Sequence, residues 1–257
     1  MTIPPPAYHT LPLAAGTFAY LDEGDGEPVV LIHGFASNAA VNWLQTGWID
    51  TLAKAGRRAV AMDNRGHGRS ARFYAVADYA LAQMAGDVAG LLDRLGIETA
   101  DVVGYSMGAR IAAELALDAP ARVRSLTLAG IGVGLITGTE EAELIAEALE
   151  AESVGAGTDP RGRTFREFAE RTKSDRAALA ACMRALRVGR PAADLARLAM
   201  PVLLAVGSED RIAGPPEPLA RHLPHAAQVI LPGRDHMKAV GDALFKRTLL
   251  EFLGGRP

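Results

Sequence analysis

A single cysteine, Cys182, stands among the 257 residues. An internal disulfide and a cysteine-rich zinc site are thereby excluded. No surplus of positive charge exists either. Against 27 Lys and Arg stand 30 Asp and Glu, scattered along the chain, for a net charge of −3. A nucleic-acid partner would call for a basic face that this balance does not supply. Long apolar runs are lacking. The uncharged stretch around Leu126–Thr139 is shorter than a bilayer span and is broken by glycines. No Lys or Arg precedes Lys54, so the basic start of a secretory signal is missing. What is present is 49% apolar and 22% charged residues, a composition that folds rather than one that stays disordered. The expectation is a cytoplasmic globular protein with no membrane or nucleic-acid partner. Its length suits one α/β domain, or a core with a modest insertion. Oligomeric state leaves no readable trace.

The hydrophobic pattern alternates between periods. Tyr8–Leu13 and Thr17–Leu21 read as short strands, followed by a Gly- and Asp-rich turn up to Pro28. Val29–Ile32 is a continuous apolar run, as expected of a strand covered on both faces. Trp43–Ala55 reads as a helix closed by Gly56, and Arg58–Met62 as another buried strand. Between Tyr79 and Leu95, the residues Leu81, Met84, Val88, Leu91, Leu92 and Leu95 share one helical face, and Gly96 ends that helix. Asp101–Gly104, Met107–Leu117 and Val123–Ala129 continue as strand, helix and strand. This βαβ rhythm predicts a mostly parallel sheet with helices on both faces.

The rhythm then stops. From about Val133 to Asp194 no strand is expected. Glu140–Glu152 reads as a helix, Ser153–Arg163 as a break, and Thr164–Arg190 as resumed helix carrying, with Arg161 and Arg163, eight arginines. Pro201–Gly207 and Gln228–Leu231 restore the strand pattern, with a short helix at Leu219–His222 and a last helix over Ala239–Leu253. Eight strand-like segments result, with a helical insertion after the sixth.

Gly104-Tyr105-Ser106-Met107-Gly108 has the form G-x-S-x-G between a predicted strand and a predicted helix. Chance supplies roughly 0.08 such matches in a chain of this composition, so the pattern counts through its context. A serine on a tight strand-to-helix turn stands exposed above the sheet, and flanking glycines remove the Cβ atoms where backbones press together. The alternative is a small-residue turn that packs a helix onto a sheet.

A serine nucleophile needs a base, and the base needs an acceptor that holds its tautomer. Chain order around such a turn is nucleophile, acid, histidine. Only His222, His225 and His236 follow Ser106, and only His236 lies in a loop after a strand and before the last helix. Asp210, after the strand at residues 202–206, is the expected acid, with Glu209 as its rival. Asp235 adjoins His236 too closely, and Asp63 precedes the serine. The second need is for donors to a developing oxyanion. The backbone N–H of Met107 is one candidate. That of Phe35, in the loop His33-Gly34-Phe35-Ala36, is the other. Phe35 reads equally as a core residue.

Together these pieces resemble the α/β-hydrolase fold family over essentially the whole chain. The residues that carry the resemblance are His33-Gly34-Phe35, the loop Asp63–Ser70, the turn Gly104–Gly108, Gly207–Asp210 and Gly233–His236. The resemblance implies an α/β-hydrolase fold with a mostly parallel eight-stranded sheet, a core of residues 1–132 and 194–257, and a helical cap at 133–193. It implies a triad of Ser106, Asp210 and His236, oxyanion donors at Phe35 and Met107, and no metal or organic cofactor. The Ser-Met turn is similar to those of carboxylesterases, enol-lactone hydrolases and carbon–carbon bond hydrolases. One usual glycine is replaced by Ala109. The expected activity is hydrolysis of a small or medium carboxylic ester. A lactone or C–C bond hydrolase with the same triad, or a slow ligand-binding relative of the fold, are the alternatives. The insert's arginines read either as a solvated face or as attractors of a carboxylated substrate. Trp43, Trp48, Phe73 and Tyr105 read either as core or as pocket, and Cys182 as a small buried apolar residue.

Overall fold

The computed structural model describes residues 7–155, 157–223 and 226–255. Eight strands form one sheet in the order β1-β2-β4-β3-β5-β6-β7-β8. They are β1 (His9–Leu13), β2 (Gly16–Glu23), β3 (Glu27–Ile32), β4 (Arg57–Met62), β5 (Ala100–Tyr105), β6 (Val123–Ala129), β7 (Val202–Gly207) and β8 (Ala226–Leu231). The pairs β1–β2 and β2–β4 are antiparallel, and every other pairing is parallel. The expected mostly parallel eight-stranded α/β sheet is therefore present.

The period-2 alternation of strands sends successive residues to opposite faces. Along β3, Val30 and Ile32 join one apolar core, and Val29 and Leu31 join the other. Helices α1 (Trp48–Lys54), α2 (Leu81–Arg94) and α3 (Met107–Asp118) cover the two faces. Met84, Val88, Leu91 and Leu92 of α2 pack into the first core, as their spacing predicts. Gly56 and Gly96 follow α1 and α2 with φ of 71° and 65°, a conformation in which a side chain would be strained.

Between β6 and β7 lie α4 (Gly134–Thr137), α5 (Ala142–Glu150), α6 (Pro160–Arg171), α7 (Arg176–Ala185) and α8 (Ala192–Leu195). After β7 come α9 (Glu217–Ala220), α10 (His236–Ala239) and α11 (Ala243–Gly254). No helix among the described residues is long and apolar enough to cross a membrane.

Two expected helices are broken in two, and a third starts late. The first is Trp43–Ala55. A π-helical turn at Ala40–Leu44 ends before Gly47, which has φ 77°, and α1 restarts at Trp48. Two tryptophans five positions apart point about 140° apart on a continuous helix. The break lets both be fully buried, edge to face at 6.1 Å, with Trp48 Nε1 donating to Val240 O at 2.6 Å. The last helix, expected from Ala239, starts at Ala243. Asp242 caps α11 by accepting from Leu244 N at 2.7 Å, which separates it from α10. In the insert, Lys173 turns at φ 54° and Asp175 caps α7.

Candidate active site

Ser106 occupies the tight turn between β5 and α3. Its φ of 56° and ψ of −113° lie outside the usual regions for a residue with a side chain. Such strain costs on the order of 1–3 kcal/mol and persists only where the surroundings enforce it. Here the enforcement is visible. Ser106 N donates to Ala129 O of β6 at 2.8 Å. A Cβ on Gly104 would lie 2.2 Å from Gly108 O, and one on Gly108 would lie 2.0 Å from Ile32 O. Only glycine fits at both flanks, so the motif's two glycines are a steric requirement of the turn.

His236 begins α10, just beyond the end of β8. Its Nε2 lies 3.0 Å from Ser106 Oγ. Its Nδ1 lies 2.8 Å and 3.0 Å from the two oxygens of Asp210. A carboxylate only accepts, so Nδ1 carries the proton and Nε2 is left to accept from the serine hydroxyl. Asp210 follows β7 and is buried. Its Oδ1 also accepts from Ile212 N at 3.0 Å and Ala213 N at 2.8 Å. Glu209 is exposed to solvent. The structure brings Asp210, and not its rival, to the imidazole. Asp235 is occupied elsewhere, capping α10 through Met237 N and Lys238 N.

Tyr105 holds the histidine from behind. Its hydroxyl donates to His236 O at 2.5 Å, and its ring lies 5.4 Å from the imidazole. Burial first, then the carboxylates of Asp210 and Asp235, push this phenol far above its ordinary value, so it stays a donor. Of the four aromatics that read as core or pocket, Trp43 and Trp48 are core, and Phe73 packs edge-on against Tyr79. Tyr105 touches the site.

The loop carrying Phe35 runs directly against the serine turn. A Cβ on Gly34 would come within 3.3 Å of Tyr105 O and 3.4 Å of Ser106 Cβ. Gly34 N is fixed by Asn42 Oδ1 at 2.8 Å, and Ala36 takes φ 57° to turn the chain away. The Phe35 ring is buried edge-on against Phe165 of α6. Neither Phe35 N nor Met107 N finds an acceptor among the described residues. Cys182 is buried with its sulfur 3.7 Å from that of Met107. Burial pushes its thiol well above the ordinary value, which leaves it unreactive.

Two cavities meet at Ser106. One of about 260 Å³ runs past Met107, Arg110, Ile131 and Ile212 to the insert. The other, of about 230 Å³, is lined by Gly34, Tyr105, Phe168, His236 and Val240. Both are below the ~300–1,000 Å³ usual for drug-sized ligands. Among the described residues, no group of three or more His, Cys, Asp or Glu could hold a metal ion.

The other histidines stand apart. His9 and His222 are exposed, and His225 lies outside the described residues. His33 and His67 are buried. His33 Nδ1 donates to Gly34 O at 2.8 Å, and its Nε2 accepts from Asn64 N at 2.9 Å. Burial lowers His33 to about 4 and His67 to about 3, the latter with help from the neighbouring His33. The unfolded chain takes up these protons near pH 6.5, while the folded chain refuses them. Stability is therefore complete above pH 6.5 and falls toward pH 4 and below. Each imidazole is expected to contribute a slope of about 1.4 kcal/mol per pH unit. Urea unfolding at stepped pH measures this, and His67→Gln should flatten the slope. An unchanged slope in that variant would count against the assignment.

The loop Asp63–Ser70 is structural. Asp63 Oδ1 accepts from Ala39 N at 2.8 Å and Oδ2 from Arg69 N at 2.9 Å. Arg65 forms a buried two-pronged pair with Asp87 of α2 at 2.6 Å and 2.8 Å.

A family model described as the alpha/beta hydrolase fold matches residues 27–153. The chain is 44% identical over 128 residues to the dihydrolipoyllysine-residue acetyltransferase component of an acetoin cleaving system from Cupriavidus necator, covering 49% of this chain and 33% of that protein. It is 42% identical over 123 residues to a 2-hydroxymuconate semialdehyde hydrolase from Pseudomonas putida, covering 47% of this chain and 43% of that one. The matched stretch thus spans less than half the length of either curated relative. Among solved structures, an esterase from Exiguobacterium antarcticum superposes with a TM-score of 0.79 at 20% identity, covering 95% of this chain and 98% of the other. With its strand order, its serine turn and these likenesses, the chain has the alpha/beta-hydrolase fold.

Proposed function

We propose that the protein is a serine hydrolase that cleaves a carboxylic ester of a small or medium-sized substrate through an acyl-enzyme on Ser106. The observation that carries this reading is the unbroken line of contacts from Ser106 Oγ through the His236 ring to Asp210. In the first step, His236 Nε2 takes the serine proton as Oγ attacks the substrate carbonyl. The oxygen that becomes negative is met by the N–H groups of Phe35 and Met107, for which the described residues offer no acceptor. When the tetrahedral species collapses, His236 passes its proton to the departing alcohol. Water then attacks the acyl group with His236 again as base, and Ser106 recovers its proton.

Geometry also divides the two cavities. His236 lines only the smaller one, so the leaving alcohol sits there and the acyl group occupies the larger. Residues 133–193 act as a cap on the core of 1–132 and 194–257, because Thr139, Ile145, Phe165 and Met183 of that insert close over the acyl side. A second reading, cleavage of a lactone or a carbon–carbon bond by the same three residues, is favoured by the likeness to the 2-hydroxymuconate semialdehyde hydrolase.

The test is covalent labelling with a fluorophosphonate, which phosphonylates only an activated serine. One adduct per chain is expected, on the peptide containing Ser106, and none in His236→Ala. A wild-type chain that stays unlabelled under conditions that saturate a known serine esterase would overturn the reading. Simple esters, an enol-lactone and a ring-cleavage dienoate assayed side by side then separate the two substrate classes.

A further inference from the structure

Helix α3 buries two ionisable side chains four positions apart, Arg110 and Glu114, which are 6% and 2% exposed. Residues so spaced are neighbours on a helix and could neutralise one another. They do not. Glu114 turns both oxygens to Arg190 of the insert, with Nε to Oε2 at 2.7 Å and Nη2 to Oε1. Arg110 is left without a carboxylate. Its one hydrogen bond among the described residues is Nη2 to Thr139 Oγ1 at 3.2 Å, and Nη1 is buried with no acceptor.

The position is unfavourable in a second way. Arg110 lies in the first turn of α3, where the aligned backbone N–H groups disfavour a cation. Burial lowers the guanidinium to about 10, and no nearby carboxylate holds it up. It is still charged at neutral pH. A side chain that breaks several folding rules at once, on the wall of a pocket, is expected to have a use there.

The surroundings define that use. Arg110 lines the larger cavity, the one that opens at Ser106 and lacks His236. Other charged side chains border it. Arg161 is held by Glu141 at 2.5 Å. Arg211 and Glu140 stand exposed to solvent. The insert's arginines are largely engaged with its own groups and with α3. Arg184 binds Glu143 and Glu150, Arg190 binds Glu114, and Arg166 donates to the carbonyls that end α5. The buried, uncompensated positive charge beside the nucleophile comes from the core helix, not from the insert.

We propose that Arg110 anchors a carboxylate carried by the acyl part of the substrate, so that the enzyme takes half-esters of short dicarboxylic acids. The inference rests on the serine-hydrolase reading. A planar guanidinium with a free Nη1 matches a carboxylate by two parallel hydrogen bonds. The Thr139 hydroxyl holds Nη2 in that plane. Arg110 is one helical turn, roughly 6 Å along the axis, from Ser106, which suits a short acid.

The experiment compares kcat/KM on the monoethyl half-esters of succinate, glutarate and adipate with that on ethyl butyrate, pentanoate and hexanoate. Wild type is expected to favour the half-ester at one of these lengths. In Arg110→Met that preference ratio should fall roughly thirtyfold or more, and Arg110→Lys should restore part of it. An unchanged ratio in Arg110→Met, or a wild-type preference for the neutral ester at every length, overturns the proposal. A second readout needs no turnover. Succinate, glutarate or adipate ions should raise the Tm of Ser106→Ala but not that of a chain also carrying Arg110→Met. If no ester is cleaved yet this Arg110-dependent shift appears, the hydrolase reading fails and the anion site stands. If neutral esters are cleaved and the shift is absent, the reverse holds. Ligand-free Arg110→Met should melt at or above the wild-type temperature, because an uncompensated buried cation has been removed. A markedly lower Tm would make Arg110 a structural residue and also overturn the proposal.

Discussion

Replacing Ser106 by alanine is expected to lower kcat on the best ester by about 10⁴–10⁶-fold. In the proposed mechanism the variant removes the attacking oxygen and nothing else. The Phe35 and Met107 N–H groups, the two cavities and the His236–Asp210 contact all remain, so a small residual rate above water should survive. The fold should hardly notice. Alanine has the same Cβ as serine, so the strain at φ 56° is neither added nor relieved. The lost contact to His236 Nε2 is partly exposed, and its imidazole can turn to water. A change in unfolding free energy within about 1 kcal/mol follows. Kinetics and urea unfolding on the same preparation separate the two effects. A variant retaining more than roughly a hundredth of the wild-type rate would mean that the reaction does not pass through Ser106.

The contrast between an activity that collapses and a fold that persists also explains what a sequence can disclose. The turn at Gly104–Gly108 is legible because sterics allow almost nothing else there. Gly104 and Gly108 each face backbone oxygen at a distance no Cβ tolerates. The strands are legible because a run such as Val29–Ile32 is buried on both faces. Ser106, Asp210 and His236 lie far apart in the chain yet all at the carboxyl ends of parallel strands, where open sheets collect functional groups.

Two helix breaks and one late helix start stay hidden because apolar periodicity continues through them. The signals that mark them, Gly47, Asp175 and Asp242, are single residues whose capping role becomes visible only beside their N–H partners. Arg110 is hidden for a different reason. In the sequence, it is one arginine among many, four residues before a glutamate that could pair with it. Its lack of a partner depends on where Arg190, 80 positions further on, places its guanidinium. A residue's identity is local, whereas its unmet electrostatic demand is a tertiary property. Tyr105 belongs to the same class, since nothing before folding indicates that its hydroxyl reaches His236 O.

Asp210→Asn is expected to lower kcat near neutral pH by about 10⁴-fold, and the local hydrogen bonds dictate why. Asp210 Oδ1 accepts from two backbone groups, Ile212 N and Ala213 N. In the variant only one of the two side-chain positions is an oxygen, and it must remain with those donors. The amide nitrogen then takes the place of Oδ2, facing His236 Nδ1 at about the 2.8 Å now spanned by the carboxylate contact. Two donors cannot share that contact, so Nδ1 gives up its proton and becomes the acceptor. The proton moves to Nε2, which then points a hydrogen at Ser106 Oγ instead of a lone pair. The base is present but carries its proton on the wrong nitrogen, and the counter-charge for its cationic form is gone. Glu209→Gln is the control. Its side chain is exposed, and its rate should stay within about twofold of wild type, as for other surface substitutions. Proton NMR follows the tautomer directly, because the Nδ1–H signal of the wild type should vanish in Asp210→Asn. If Asp210→Asn turned over within about tenfold of wild type, or kept that signal, Asp210 would lose the role assigned to it.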